Sequence, residues 1–338
     1  MIIVSNYFLA LICCIVCCIC WGSWANTQKM VAAKNWSFEL FYWDYTIGLF
    51  LTTVVAAFTL GTFGSEGRTF IEDFSILNWQ SVMYAILGGI IWNAGTILLT
   101  ASIAVAGMSV GFPIGGGIGW IGGIIFNYIL LLFSGGSYTG NETLLWVGVV
   151  IIIVSILISG QAYRRMSASR SNTRLGIILA FFAGIAIMFF YGLVVKSLDP
   201  AFVSGGTGTL TPYTGVFFFG VGILASTPLL NGFAMHHPVS GKAVTMADYL
   251  HRGDCRTHLI GILGGVIWMA GMVISFMGAG AANPAISYAL SNAAPVVAMI
   301  WGVFVWKEFK GAPRGTGTLV VLTFVGFIAG LILISLSH

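Results

Sequence analysis

Residues Ile86–Gly95 read ILGGIIWNAG, and residues Ile262–Gly271 read ILGGVIWMAG. Eight of the ten positions are identical, at an offset of 262 − 86 = 176 residues in a chain of 338. A sequence that returns to itself at about half its length reads as two copies of one unit. Around the first copy, the stretch from Val82 to Tyr128 carries Gly107, Gly111, Gly115, Gly119 and Gly123 at every fourth position, with Pro113 inside the run.

Composition sets the class. Hydrophobic residues make up 58% of the chain and charged residues 7%, against about a quarter charged in a soluble domain. Too few charges remain to cover a water-facing surface, so the fold class is an all-α integral membrane protein. The net charge of +4 is spread over short loops and gives no reason to expect a nucleic-acid partner. Apolar runs of spanning length predict ten transmembrane helices at 4–25, 40–62, 81–104, 107–133, 143–163, 174–196, 212–235, 258–280, 284–306 and 315–337. Tight turns are expected at Ala106-Gly107 and at Ala282-Asn283-Pro284. The first segment has no basic leader region and no convincing cleavage site, so it reads as a helix of the bundle rather than a signal peptide.

The basic residues test the layout. Lys29, Lys34, Arg164, Arg165, Arg170, Arg174, Lys242, Arg252, Arg256, Lys307, Lys310 and Arg314 fall on one side, and Arg68 and Lys196 on the other, which accounts for all 14 Lys and Arg. The positive-inside rule puts the first set in the cytoplasm and both termini outside. Five spans per copy is an odd number, so the second copy enters the membrane inverted. The expected organisation is a five-plus-five inverted repeat, 1–170 and 171–338, as in many secondary transporters with midplane substrate sites. Tyr45-Thr46 and Tyr213-Thr214, 168 residues apart, are a candidate second correspondence.

Small residues at every fourth position let helices approach closely in lipid, which is sufficient for Gly107, Gly111 and Gly119. Pro113 among Gly111, Gly115, Gly116 and Gly117 is a candidate for local unwinding, tolerated only beside protein or a water-filled cavity. Gly107-Met108-Ser109-Val110-Gly111 matches the nucleophile-elbow pattern. That motif needs a strand before it, and here it opens a membrane helix, so it is set aside.

Polar side chains within the spans are the functional signal. Gly89, Asn93, Thr96 and Thr100 share one helix face, with Trp92 beside them, whereas the matching face of the eighth span, Gly265, Met269, Met272 and Phe276, is apolar. Thr227 and Asn231 share a face in the seventh span, and Tyr288 and Asn292 in the ninth; Asn127 lies in the fourth. Each Asn is as readily a helix-joining hydrogen bond as a ligand group. Set beside Trp21, Trp24, Trp92, Trp120 and Trp268 they suggest a binding site, since aromatic faces stack on sugar rings or planar amides while Asn and Thr read hydroxyls or ring nitrogens. The expected substrate-binding set is Trp92, Asn93, Thr96, Trp120, Asn127, Asn231, Trp268, Tyr288 and Asn292. Asp44 is the acidic residue placed clearly inside a span. It is either a proton-coupling carboxylate or a negative charge at the positive end of a helix, and the residues leave the two even. Lys29 and Lys196 either snorkel or counter Asp44.

Cys13, Cys14, Cys17, Cys18 and Cys20 read as small apolar residues. His236, His237, Cys255 and His258 fit no standard zinc spacing, so no metal and no cofactor are expected. The sequence has no H-E-x-x-H and no phosphate-cradling loop, which argues against a zinc protease and an ATP-driven pump.

Trp21-Gly22-Ser23-Trp24-Ala25-Asn26-Thr27-Gln28-Lys29, Asp44-Tyr45-Thr46, Asn78-Trp79 and the Gly-Gly-x-x-Trp-Asn-x-Gly segment from Gly88 together resemble the drug/metabolite transporter superfamily. Within it the chain is similar to the branch of bacterial glucose/ribose porters, L-rhamnose–proton symporters and plant ureide permeases. The Trp-Gly-x-Trp and Asp-Tyr-Thr elements look most like ureide permeases; the Trp-Gly-Ser opening and the glycine-rich fourth span are similar to the sugar porters too. The resemblance implies a secondary transporter rather than an enzyme. The expected function is uptake of a small neutral polar metabolite, a sugar in the first instance, by proton symport across the inner or plasma membrane, with the protein a monomer or homodimer. A ureide or nucleobase permease is the nearest alternative. A drug exporter, whose pore needs less polar lining, an intramembrane enzyme and a receptor scaffold rank below it.

Overall fold

The computed structural model describes residues 1–133, 140–166, 173–199, 209–278, 291 and 293–337. Among them the chain is helical, apart from one isolated bridge between Leu198 and Leu210. In order, the helices are α1 (Tyr7–Ser23), α2 (Ala25–Ala32), α3 (Phe38–Phe58), α4 (Phe70–Ser75), α5 (Trp79–Ala106), α6 (Met108–Gly111), α7 (Gly117–Phe133), α8 (Glu142–Met166), α9 (Thr173–Ser197), α10 (Pro212–His236), α11 (Met246–Arg252), α12 (Cys255–Gly278), α13 (Ala294–Ile300) and α14 (Thr316–Leu336). Wide π turns, Phe112–Gly116 and Trp301–Val305, link α6 to α7 and follow α13.

Eight helical stretches are long and apolar enough to cross a membrane, and two shorter apolar stretches, Phe112–Phe126 and Ala294–Val305, fall where the fourth and ninth spans were expected. The protein is therefore a multi-pass membrane protein. The first span is longer than expected, running from Tyr7 to Ala32, and α1 packs against α12 and α13 as part of the bundle. The turn at Ala106-Gly107 is present, with Gly107 at φ +95°, a region open mainly to glycine. The turn expected at Ala282-Asn283-Pro284 lies outside the described residues. Around Pro113 the helix widens into a π turn instead of unwinding, an arrangement common at functional sites.

Packing follows the repeated sequence. The helix α5 packs on α9 and α10, and α12 packs on α1 and α3; α3 meets α10, and α8 meets α14. Four glycines carry the closest approaches of backbone to backbone. A Cβ at Gly89 would collide with the Phe219 carbonyl oxygen, and one at Gly265 with that of Tyr45. A Cβ at Gly222 would strike the Ile86 carbonyl, and one at Gly48 that of Ile262. These contacts come in pairs, with α5 on α10 repeating α12 on α3. They match Gly48 to Gly222 and Tyr45 to Phe219, both at an offset of 174 (222 − 48 and 219 − 45). The candidate pairing of Tyr45-Thr46 with Tyr213-Thr214 is thus six residues out of register. Dipeptide identity misled because the packing needs a small residue at Gly48 and Gly222, not a Tyr-Thr pair.

The short helices α4 and α11 follow α3 and α10, and each begins with a capping box. Thr69 accepts from the Glu72 amide while the Glu72 carboxylate accepts from the Thr69 amide; Thr245 and Asp248 do the same. Each box satisfies two amides that a helix start would leave unpaired, which is how such short helices form.

Candidate functional site

Trp92 and Trp268 occupy the same position in the repeated decapeptide, and their rings meet with centroids 4.1 Å apart. Trp21 stacks on Trp268 at 5.4 Å and 12°, and its Nε1–H donates to the Trp268 carbonyl at 3.1 Å. Trp24 packs on Tyr45 and on Phe112 of the π turn. Between these rings lies a cavity of about 60 Å³ walled by Trp21, Trp24, Trp92, Thr96, Trp120 and Trp268, with Phe112, Phe190 and Pro295 completing it. That is room for about two waters, in a slot whose walls are mostly aromatic.

Four expected site residues, Trp92, Thr96, Trp120 and Trp268, therefore come together. Two others do not. Asn93 is fully buried and joins three helices: its Oδ1 accepts from the Tyr42 hydroxyl at 2.6 Å, and its Nδ2 donates to Ser226 Oγ at 2.8 Å, Thr227 Oγ1 at 3.1 Å and the Ile223 carbonyl at 3.2 Å. Asn231 donates to the Glu39 carbonyl at 2.8 Å. The Asn93 amide is occupied between helices, the buried Asn231 Oδ1 has no hydrogen-bond partner among the described residues, and neither residue lines the slot; the shared face that nominated Asn93 with Thr96 is split, Asn93 turning to α10 and Thr96 to the cavity. The side chains of Asn127, Tyr288 and Asn292 lie outside the described residues.

Asp44 sits in the second turn of α3 and is fully buried. Its Oδ1 accepts from the Tyr249 hydroxyl at 2.6 Å and lies 2.8 Å from His258 Nδ1. Its Oδ2 has no hydrogen-bond partner among the described residues and faces Gly261 of α12, where a Cβ would run into the carboxylate. Trp36 and Tyr249 flank the His258 ring edge-on at 5.2 and 4.9 Å. Burial, and then the neighbouring Asp44 carboxylate, push the Tyr249 phenol above its usual range, so it remains a donor at neutral pH. Neither lysine pairs with Asp44. Lys29 is paired with Glu308, which also accepts from the Met108 amide at 3.1 Å; Lys196 lies over the Tyr84 ring at 4.5 Å.

At the same end of α3 a second cavity, about 380 Å³, opens among Gln28, Lys29, Trp36, Glu39, Ile103 and Ser240. Its volume is in the range of small-molecule sites, and its lining is polar where the tryptophan slot is not. The opposite end is closed by an ionic cluster. Arg68 bonds Asp73 at 2.9 Å, Asp199 at 3.4 Å and the Thr209 carbonyl at 2.9 Å, while the second oxygen of Asp73 accepts from the Thr211 amide at 2.8 Å.

Sequence reasoning missed His258 and Tyr249 as partners of Asp44. A histidine at the start of an apolar helix was the available signal, but pairing it with a residue 214 positions away required the packing of α12 on α3.

A family model described as ureide permease matches residues 41–167 and 153–337. The chain is 24% identical to ureide permease 1 of Arabidopsis thaliana, over 97% of this chain and 96% of that protein, and 24% identical to ureide permease 2 of the same plant over the same shares. It is also 24% identical to the "probable glucose uptake protein" of Staphylococcus aureus strain N315, over 77% of this chain and 82% of that one.

Proposed function

The chain belongs to the ureide permease family, and on that premise we propose that this membrane permease takes up a small, flat, neutral ureide or related heterocycle with protons. The observation that carries the reading is the slot walled by five tryptophans and one threonine hydroxyl. A planar ring made of amide groups presents two faces for stacking and few edge groups to satisfy, which suits such walls. The names of the plant relatives and their coverage of nearly the whole chain support the same substrate class. A sugar is the second reading, favoured by the glucose uptake relative; the polar cavity beside Gln28 and Glu39 is where its hydroxyls would find partners.

In this reading the ten apolar stretches form a five-plus-five inverted repeat. The paired glycine contacts support it, and so does the meeting of Trp92 with Trp268, since equivalent residues touch only near the axis relating them. In the same reading α11 and the larger cavity lie on the cytoplasmic side with the basic loops, and the Arg68 cluster and both termini lie outside; the positive-inside rule supports this. Asp44 is the proton-coupling carboxylate, a fully buried acid within a span of the kind that marks proton pathways. Counterflow in proteoliposomes tests the substrate class. Labelled allantoin should exchange, with uracil competing; exchange of glucose but not allantoin would transfer the assignment to the sugar reading, and exchange of neither would remove both.

A further inference from the structure

We infer that His258 is the proton relay between cytoplasmic water and Asp44, and that Tyr249 ties the state of this pair to helix α11. The inference rests on the proposed role of Asp44 and adds the path by which its proton leaves to the cytoplasm. A fully buried carboxylate cannot exchange protons with bulk water unless another group carries them across its wall. His258 is the titratable group in that wall. Its Nδ1 lies 2.8 Å from Asp44 Oδ1, its Nε2 lies on the far side of the ring against Gly253 in the loop before α12, and the side chain is 25% exposed. The ring thus has one nitrogen on the acceptor and the other against the loop, on a side chain partly open to water. Gly253 lets the loop come this close, since a Cβ there would collide with Nε2.

The transfer balances without a co-reactant. Neutral His258 carries its proton on Nδ1, directed at Asp44. A proton from water binds Nε2, the Nδ1 proton passes to Asp44 Oδ1, and neutral imidazole remains with its proton on Nε2. Release, the direction uptake uses, runs these steps in reverse: Asp44 returns its proton to Nδ1 while the Nε2 proton leaves to cytoplasmic water. Imidazole suits the task as the side chain that ordinarily titrates between pH 5 and 8. The other charged groups nearby are committed elsewhere: Asp254 to Lys34 and Thr257, and Asp248 to Arg252 and the Thr245 cap. Tyr249 donates to the same oxygen that would receive the proton. Protonating Asp44 replaces a charge-assisted hydrogen bond by a weaker neutral one, which loosens α11 from α3 in step with proton loading.

The test uses purified full-length protein in proteoliposomes with labelled allantoin, the cytoplasmic face presented to a buffer with or without imidazole. His258→Ala should slow proton-driven uptake about tenfold or more while counterflow persists, and imidazole on the cytoplasmic side should restore most of the rate. Tyr249→Phe should leave the rate-limiting relay in place and raise the exchange of α11 amides with solvent. Unchanged uptake by His258→Ala, or a loss that imidazole does not repair in protein with native thermal stability and counterflow, overturns the relay. Those outcomes leave the role of Asp44 standing; that role falls separately if Asp44→Asn still accumulates substrate against a gradient.

Discussion

The chain builds one small device twice. Helix α4 follows α3, helix α11 follows α10, and their capping residues are 176 positions apart, Thr69 to Thr245 and Glu72 to Asp248. Each docks near the start of a distant long helix, α4 on α10 and α11 on α3. α4 places Asp73 on the Thr211 amide that opens α10, and α11 places Tyr249 on Asp44 near the start of α3. The docking chemistry is where they part. Asp73 is held by Arg68, whose side chain is 12% exposed, whereas Tyr249 shares a carboxylate with His258. Guanidinium carries a fixed charge near neutral pH and imidazole does not. The common cap decides that a helix forms; the docking partner decides what the helix responds to.

The largest expected effect lies on the fixed-charge side. Arg68→Ala leaves the buried Asp73 without its cation, at a cost of about 3–5 kcal/mol, to be read from thermal unfolding in detergent. Tyr249→Phe removes one partly exposed hydrogen bond to a carboxylate and should cost roughly 1–2 kcal/mol. Equal losses would erase the distinction between the two devices. Next come the paired contacts beneath them: Gly48→Val and Gly222→Val each drive a side chain into a carbonyl of the facing helix, and each should cost about 1–3 kcal/mol or more. A large loss in one and none in the other would break the equivalence of the two packings. Asn93→Ala, which unties α5 from α3 and α10, should cost roughly 1–2 kcal/mol and lower expression before it alters substrate affinity.

The smallest effects should be the same on both sides. Thr69→Ala and Thr245→Ala each remove a cap worth about 1 kcal/mol. Hydrogen bonds from the Thr69 amide and hydroxyl lower the Glu72 carboxyl, and those from the Thr245 hydroxyl and amide lower that of Asp248. Both are depressed carboxylates, so the stability they contribute is present above the unfolded range near pH 4 and lost as pH falls through their lower folded values. In Tyr249→Phe protein, where the tie of α11 to Asp44 is gone, amide exchange of α4 and α11 should therefore rise together in acid, and a difference between them near pH 4 would show that the caps are not alike.

The helical membrane fold was legible because composition, apolar run length and the decapeptide repeat all point one way. The tryptophans of the slot were legible as large aromatic residues in apolar helices, and Trp92 and Trp268 also recur at a fixed offset. The asparagines misled. Asn93 and Thr96 share a face only loosely, and a single turn of α5 separates a residue bonded to α10 from one facing the cavity. The environment of Asp44 was illegible, since His258 and Tyr249 reach it from another part of the chain through α12 and α11. Lys29 carried no mark to separate a partner at Glu308 from one at Asp44; only the fold of the loop after α13 does that.

The most direct test of the account compares two readouts on one Asp44→Asn sample in proteoliposomes. With an imposed pH gradient, labelled allantoin should no longer accumulate above its outside concentration, while counterflow without a gradient proceeds at near the wild-type rate. Accumulation that persists in Asp44→Asn would contradict the account, leaving Asp44 as a packed carboxylate beside a helix start and the driving ion to be sought elsewhere.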